Sequence, residues 1–136
     1  MTSPVVVPPL AGRVLGLGSN DFVIAEWQDE GAPPGPPRLI APLHLHRSDD
    51  EAWYVLEGTL GVKTGESELE LRPGTGLLVP HGTAHTYWNA RPERVRYLLI
   101  MTPNIYRLIQ EIHVTQDRTP AHLRALFERF DSELLA

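Results

Sequence analysis

From Arg13 to Met101 the apolar residues fall in short runs, mostly with a period of two, separated by clusters of Gly, Pro, Asn, Asp and Ser. A period of two sends alternate side chains to opposite faces of a strand, and such clusters supply the backbone conformations of tight turns. The pattern therefore predicts many short strands and an all-β layout. Arg13 to Leu17 and Phe22 to Trp27 are predicted strands around a Gly18–Asp21 turn, and Leu39 to His46 is the next. A charged turn, Arg47 to Asp50, leads into a strand opening at Glu51. Further strands are predicted over Leu60–Thr64, Ser67–Arg72, Leu77–Val79, the segment bearing His85, and Arg94–Met101. Residues 1–11 carry Pro4, Pro8 and Pro9, which cannot donate ladder hydrogen bonds, and are expected to form an arm or edge strand. The proline-dense loop Gly31–Pro37 is expected to be stiff and exposed, a fixed rim to a pocket.

After Met101 the period changes. Thr102 and Pro103 form an N-cap and first helical position, followed by Ile105, Leu108, Ile109 and Ile112 on one face. Thr119 and Pro120 repeat the signal ahead of Leu123, Leu126, Phe127, Phe130 and Leu134. Two amphipathic helices are thus expected to cap one sheet. In the strand from Glu51, the face of Trp53 and Val55 and the face of Ala52, Tyr54 and Leu56 are both apolar. A strand apolar on two sides needs cover on both, so a homodimer is expected.

At 136 residues the chain fits one globular domain, laid out as an arm (1–11), a barrel (12–101) and a helical segment packed on it (102–136). The formal net charge of -5, with no basic cluster, argues against nucleic acid or an acidic membrane as partner. The N-terminus has no basic region before its Val5–Val7 run, and no apolar run reaches membrane-spanning length, so a cytoplasmic location is expected. There is no cysteine, which leaves imidazole and carboxylate as the side chains able to form a transition-metal site.

Four such side chains stand out. His44 and His46 lie two apart on one strand face, Glu51 follows after four intervening residues, and Gly58 after six more. A second group runs Gly74, Pro80, Gly82, His85, Asn89. A closed antiparallel barrel is the architecture in which inward positions of separate strands converge on one point. Three nitrogen donors and one oxygen donor would suit one divalent ion such as Fe, Mn, Ni, Cu or Zn, with coordination positions left open. The glycines and Pro80 are expected to shape the turns that deliver His85, and Asn89 to bind backbone in a turn. His81, His113 and His122 are expected at the surface. Trp53 and Tyr87 share strand faces with Glu51 and His85 and are candidate walls of a substrate pocket, although aromatics so placed more commonly pack a core.

The two motifs resemble the signature motifs of the cupin superfamily, with Arg38 in the position of the usual first glycine. The resemblance covers roughly residues 39–101. It implies a cupin jelly-roll barrel, commonly dimeric, that holds one divalent metal through His44, His46, Glu51 and His85. With the two following helices, the chain is similar to bacterial single-domain cupins related to quercetin dioxygenases. Cupin chemistry spans many reactions, so the fold does not select one. A metal-dependent oxygenase acting on an enol or hydroxyketone-type small molecule leads, with Glu51 as ligand or, if displaced, as base. A non-redox isomerase, cyclase or lyase using the metal as Lewis acid, and a non-catalytic binding module, are the alternatives.

Overall fold

A computed structural model describes residues 4–7, 10, 12–16, 19–31 and 33–135. Its elements are β1 (Val14–Leu15), β2 (Val23–Asp29), β3 (Leu39–His46), β4 (Glu51–Glu57), β5 (Leu60–Thr64), β6 (Ser67–Leu71), β7 (Gly76–Val79), β8 (His85–Asn89), β9 (Val95–Met101), α1 (Pro103–Val114), α2 (Pro120–Arg129) and β10 (Ser132–Leu134). Every strand pairing is antiparallel. The strands form two five-stranded sheets, ordered β1-β2-β9-β4-β7 and β10-β3-β8-β5-β6. Chain neighbours such as β3 and β4, or β7 and β8, sit in different sheets, the winding of a double-stranded β-helix. Pro8, Pro9 and most of the expected arm, with Leu17 and Gly18 of the first predicted strand and turn, lie outside the described residues.

The core forms where the two sheets turn their apolar faces inward. Val95, Tyr97, Leu99 and Met101 of β9 alternate with half-buried Arg96, Leu98 and Ile100, the period-two pattern read at side-chain level. With Val23, Ala25, Trp53, Val55, Leu60 and Val62 they make one continuous cluster. Such packing is the main favourable contribution to folding, and it fixes strand register, because a slip of one residue would turn every donor and core side chain outward. Gly58, which ends β4, adopts φ +78, and a Cβ there would fall 2.3 Å from the Arg94 carbonyl oxygen. Glycine is the residue that permits this turn to close against β9.

Thr102 and Thr119 cap the two helices as predicted: their hydroxyls accept from the backbone N–H of Ile105 and His122, and proline opens each first turn. The second helix ends earlier than its periodicity predicts. Phe130 is its C-cap, Asp131 takes φ 56, and Ser132–Leu134 then run as β10 along β3. Phe130 and Leu134 still pack on Leu108, Leu126 and Phe127, so the apolar spacing marks the right contact surface on a different backbone. No helix among the described residues is long and apolar enough to cross a membrane.

Candidate metal centre

The donors come from three strands of the two sheets. β3 supplies His44 and His46 on one face, and β8 lies beside it with His85 directly opposite His44. Glu51 opens β4 in the other sheet, on the inward face with Trp53 and Val55. Gly82, at φ +82, turns the chain three residues ahead of His85, and its N–H donates to the His46 carbonyl at 2.6 Å, which ties the second motif to the first. The result is a cluster of four buried side chains, His44, His46, Glu51 and His85, with one ligand atom of each lying within 4.8 Å of all the others.

Hydrogen bonding settles which imidazole nitrogen faces the centre. His44 Nδ1 lies 2.6 Å from the Pro42 carbonyl oxygen and His85 Nδ1 2.9 Å from that of Thr83. A carbonyl only accepts, so both Nδ1 atoms carry the hydrogen. His46 Nδ1 lies 2.7 Å from Ser132 Oγ, whose own hydroxyl donates to the Phe130 carbonyl at 3.1 Å. Ser132 is therefore the acceptor there too. When neutral, the three imidazoles then present an Nε2 lone pair inward, and His46 Nε2 and His85 Nε2 lie 3.1 and 2.6 Å from Glu51 Oε1.

A buried set of three lone pairs and a carboxylate consists of acceptors alone and lacks a donor of its own. Left uncompensated it is costly; a divalent cation at its centre satisfies every member. Metal bonds of about 2.0–2.2 Å place neighbouring ligand atoms about 3 Å and opposite ones a little over 4 Å apart, so the widest separations would close slightly and the 2.6 Å His85–Glu51 contact would open slightly. The residues thus fit one transition-metal ion, and what the ion would supply is Lewis acidity, together with redox chemistry if it is Fe, Mn, Ni or Cu.

The electrostatics agree with this assignment. Burial, with a contribution from neighbouring His85, lowers the pKa of His44 from 6.5 to about 4, so it is a neutral ligand at physiological pH. For Glu51 burial pushes upward, but the imidazoles of His46 and His85, which donate to it from Nε2 when a proton rather than a cation occupies that position, outweigh it and bring the carboxyl down to about 2, fully ionised. The ligand shell would therefore carry one negative charge before an ion enters.

The centre opens onto a cavity of about 660 Å³. His44, His46, Glu51 and Tyr87 form its floor. Ile105, Leu108, Ile109 and Ile112 of α1 and Phe127 of α2 form an apolar wall, and Phe127 meets the His44 ring at 5.5 Å between centroids. The helices are thus part of the site as well as a cap, a role their amphipathic spacing did not distinguish. Tyr87 lines the cavity, and burial holds its hydroxyl protonated. Trp53 sits behind it, 1% exposed, edge-on to His85 and Tyr87, and is not among the lining residues. None of the described residues of the loop over 31–37 lines the cavity.

Other expected residues fall as follows. Asn89 binds backbone, donating to the carbonyls of Glu93 and Asp29 and accepting from the Arg91 N–H. Arg38 is exposed and pairs with Asp29. His81 is exposed and pairs with Asp50, His122 is partly exposed and pairs with Asp117, and His113 is exposed at the cavity edge. Ser132 went unpredicted, because a lone serine inside an apparent helical repeat carries no sequence signal for a second-layer contact to a ligand.

This combination of a double-stranded β-helix with three inward histidines and a glutamate defines a class, and comparison with known proteins gives the same class. Residues 35–101 match the cupin domain family. The chain is a small cupin. Among solved structures it is similar to a provisional sugar phosphate isomerase from Acidithiobacillus ferrooxidans, with 27% identity over 62% of this chain and 52% of that one, TM-score 0.53. A cupin protein from Bacteroides fragilis superposes with TM-score 0.59 at 16% identity, covering 74% of this chain and 82% of that one. KdgF from Halomonas superposes with TM-score 0.51 at 20% identity, over 61% and 70% of the respective chains. The chain spans about half the length of the first of these, and the last two share the fold alone. No curated protein matches at a significant level.

Proposed function

We propose that the protein is a metal-dependent oxygenase acting on a small, largely apolar molecule that carries an enol or hydroxyketone group. The observation that carries the proposal is the all-acceptor cluster of His44, His46, Glu51 and His85 at the floor of an apolar cavity. The four side chains would hold a bound ion and leave part of its coordination open toward the cavity, where it would supply redox or Lewis-acid chemistry. Ile105, Leu108, Ile109, Ile112 and Phe127 would hold the apolar body of the substrate and exclude water. Tyr87 lines the floor with its hydroxyl kept protonated by burial and by its bond to Tyr97. Glu51 suits an anionic ligand at its lowered pKa, and it becomes an effective base only when turned away from the histidines, where burial raises its proton affinity.

The wall also speaks to charge. The lining arginines are already engaged, Arg96 with Glu26 and Glu57, and Arg94 with Glu57, which argues against a phosphorylated substrate. Likeness to a provisional sugar phosphate isomerase favours, as a second reading, non-redox chemistry with the ion as Lewis acid. One experiment separates the two. The chain is loaded anaerobically with Fe(II), Mn(II), Ni(II), Cu(II) or Zn(II) and oxygen uptake is followed on flavonol, diketone and catechol substrates. Uptake with a redox-active metal and none with zinc is expected. No uptake in any combination overturns the oxygenase, and turnover with zinc that ignores oxygen supports the second reading.

A homodimer is part of the same proposal. On the outer face of the first sheet Tyr54 is 42% and Leu78 63% exposed, beside half-buried Ala52, Leu98 and Ile100. A second copy over this apolar face would bury it. Sedimentation should give a dimer that Leu78→Glu dissociates; a monomeric parent chain would end the idea.

A further inference from the structure

The second motif ends well before the C-terminal strand, yet that strand reaches a ligand. β10 pairs with β3 in a register that sets Ser132 against His46, Glu133 against Leu45 and Leu134 against His44. Ser132 is fully buried, and its hydroxyl has two partners: it donates to the Phe130 carbonyl and accepts from His46 Nδ1. The Phe130 carbonyl also accepts from Asn104 Nδ2 of α1 at 2.7 Å, and the same amide reaches Asp49 Oδ2, two residues before Glu51, at 2.9 Å. Arg47 completes the fastening by pairing with Glu128, Asp131 and Glu133. The chain end is therefore bound to the turn that separates two of the proposed ligands.

We infer that Ser132 is a positioning residue for His46: by accepting the Nδ1 hydrogen it holds the ring in the tautomer and orientation that aim Nε2 at the metal centre. The inference rests on the proposed metal site. The local geometry makes the hydroxyl selective. With its single hydrogen on Phe130 only its lone pairs face the imidazole, and the opposite tautomer would require the hydroxyl to turn and give up the Phe130 bond. His44 and His85 differ, because each bonds a carbonyl two residues earlier in the chain and needs no distant partner. His46 alone among the three depends on a segment 86 residues distant. Hydrogen bonds behind a metal-bound imidazole raise its basicity and lock its orientation, and their loss lowers metal affinity by roughly tenfold to a hundredfold.

The test compares the full chain, Ser132→Ala, Ser132→Thr and His46→Ala in two measurements. Zinc affinity is read by chelator competition, and the His46 tautomer by long-range ¹H–¹⁵N correlation on labelled, metal-free protein. The parent chain should show His46 with hydrogen on Nδ1; hydrogen on Nε2 there overturns the inference without relying on any variant to fold. Ser132→Ala should bind zinc roughly ten- to a hundredfold more weakly and show a mixture of tautomers, and Ser132→Thr, which keeps the acceptor, should restore both. Wild-type affinity and an unchanged tautomer in Ser132→Ala overturn the role of Ser132 when His46→Ala has lost zinc. If His46→Ala binds zinc normally, the metal site itself is wrong and the inference falls with it.

Discussion

Two clusters of charged and polar side chains share strand β4 and behave oppositely. On the outer face of the first sheet, Arg96 bonds Glu26 at 3.1 Å and Glu57 at 3.3 Å, while Arg94 bonds Glu57 at 3.1 Å. Cations and anions alternate there, and the group is satisfied by its own members. At the inner cluster each Nδ1 hydrogen is committed elsewhere, so a neutral imidazole offers Glu51 only an Nε2 lone pair and bonds it only through an added proton or cation. Glu57 in the first cluster is a surface ion pair; Glu51 in the second belongs to a buried set that an added proton or cation would complete. The difference lies in whether a donor is present, and composition alone does not show it.

The strongest way to break the comparison is to remove an inner donor. His85→Ala should abolish stoichiometric metal retention, measured by elemental analysis of untagged protein after dialysis. Near-normal occupancy would mean that the inner cluster is an ordinary buried network like the outer one and needs no ion. Because His85 is 1% exposed, the truncation also leaves a void beside Trp53, and the metal-free variant should lose about 1–3 kcal/mol of stability in a denaturant titration.

Much of this site was legible because it lies on strands. Period two places His44 with His46, Glu51 with Trp53 and Val55, and His85 with Tyr87 on common faces, and the burial of all seven follows that parity. Thr-Pro starts located both helices to the residue. What escaped was of another kind. The reversal at Asp131 uses a left-handed conformation without a glycine, so nothing interrupts the apparent repeat that ends in Leu134. The apolar wall escaped for a related reason: Ile105, Leu108, Ile109 and Ile112 have one spacing whether they cover a core or line a cavity, and the choice is made by how far the helix stands from the barrel. Parity similarly put Trp53 and Tyr87 on the site's face without ranking their depth, and only Tyr87 reaches the cavity.

A pH titration sharpens the contrast from the side of energetics. His44 titrates near 4 in the folded chain against 6.5 unfolded, so between those values the unfolded chain binds more protons. Its contribution to stability is complete above pH 6.5 and is lost as the pH falls toward 4. For Glu51 the corresponding interval runs from 4.5 down to about 2. The chelator-treated protein should therefore show a melting temperature that begins to fall already below pH 6.5, well above the carboxylate range. In His44→Gln the decline between 6.5 and 4.5 should disappear, leaving only the fall at lower pH. A parent curve that is flat down to pH 4.5 would contradict the buried, neutral state assigned to His44.

The smallest effect is expected at the outer cluster. Arg96→Met removes the cation shared by Glu26 and Glu57 while keeping the length and apolar stem of the side chain. Glu57 retains Arg94, and both the arginine and Glu57 are substantially exposed, so water and salt replace most of what is lost. The melting temperature should fall by a few degrees at most, and the difference from the parent should shrink as salt is raised. Zinc affinity should stay at the parent value, because Arg96 bonds Glu26 and Glu57 and none of His44, His46, Glu51 and His85. Glu26, at 7% exposure, is the member for which this account carries risk: without Arg96 it keeps a buried carboxylate with less compensation. A large, salt-independent loss of stability would show that the outer group is held by burial as the inner one is, and the distinction between the two clusters would then rest on the metal alone.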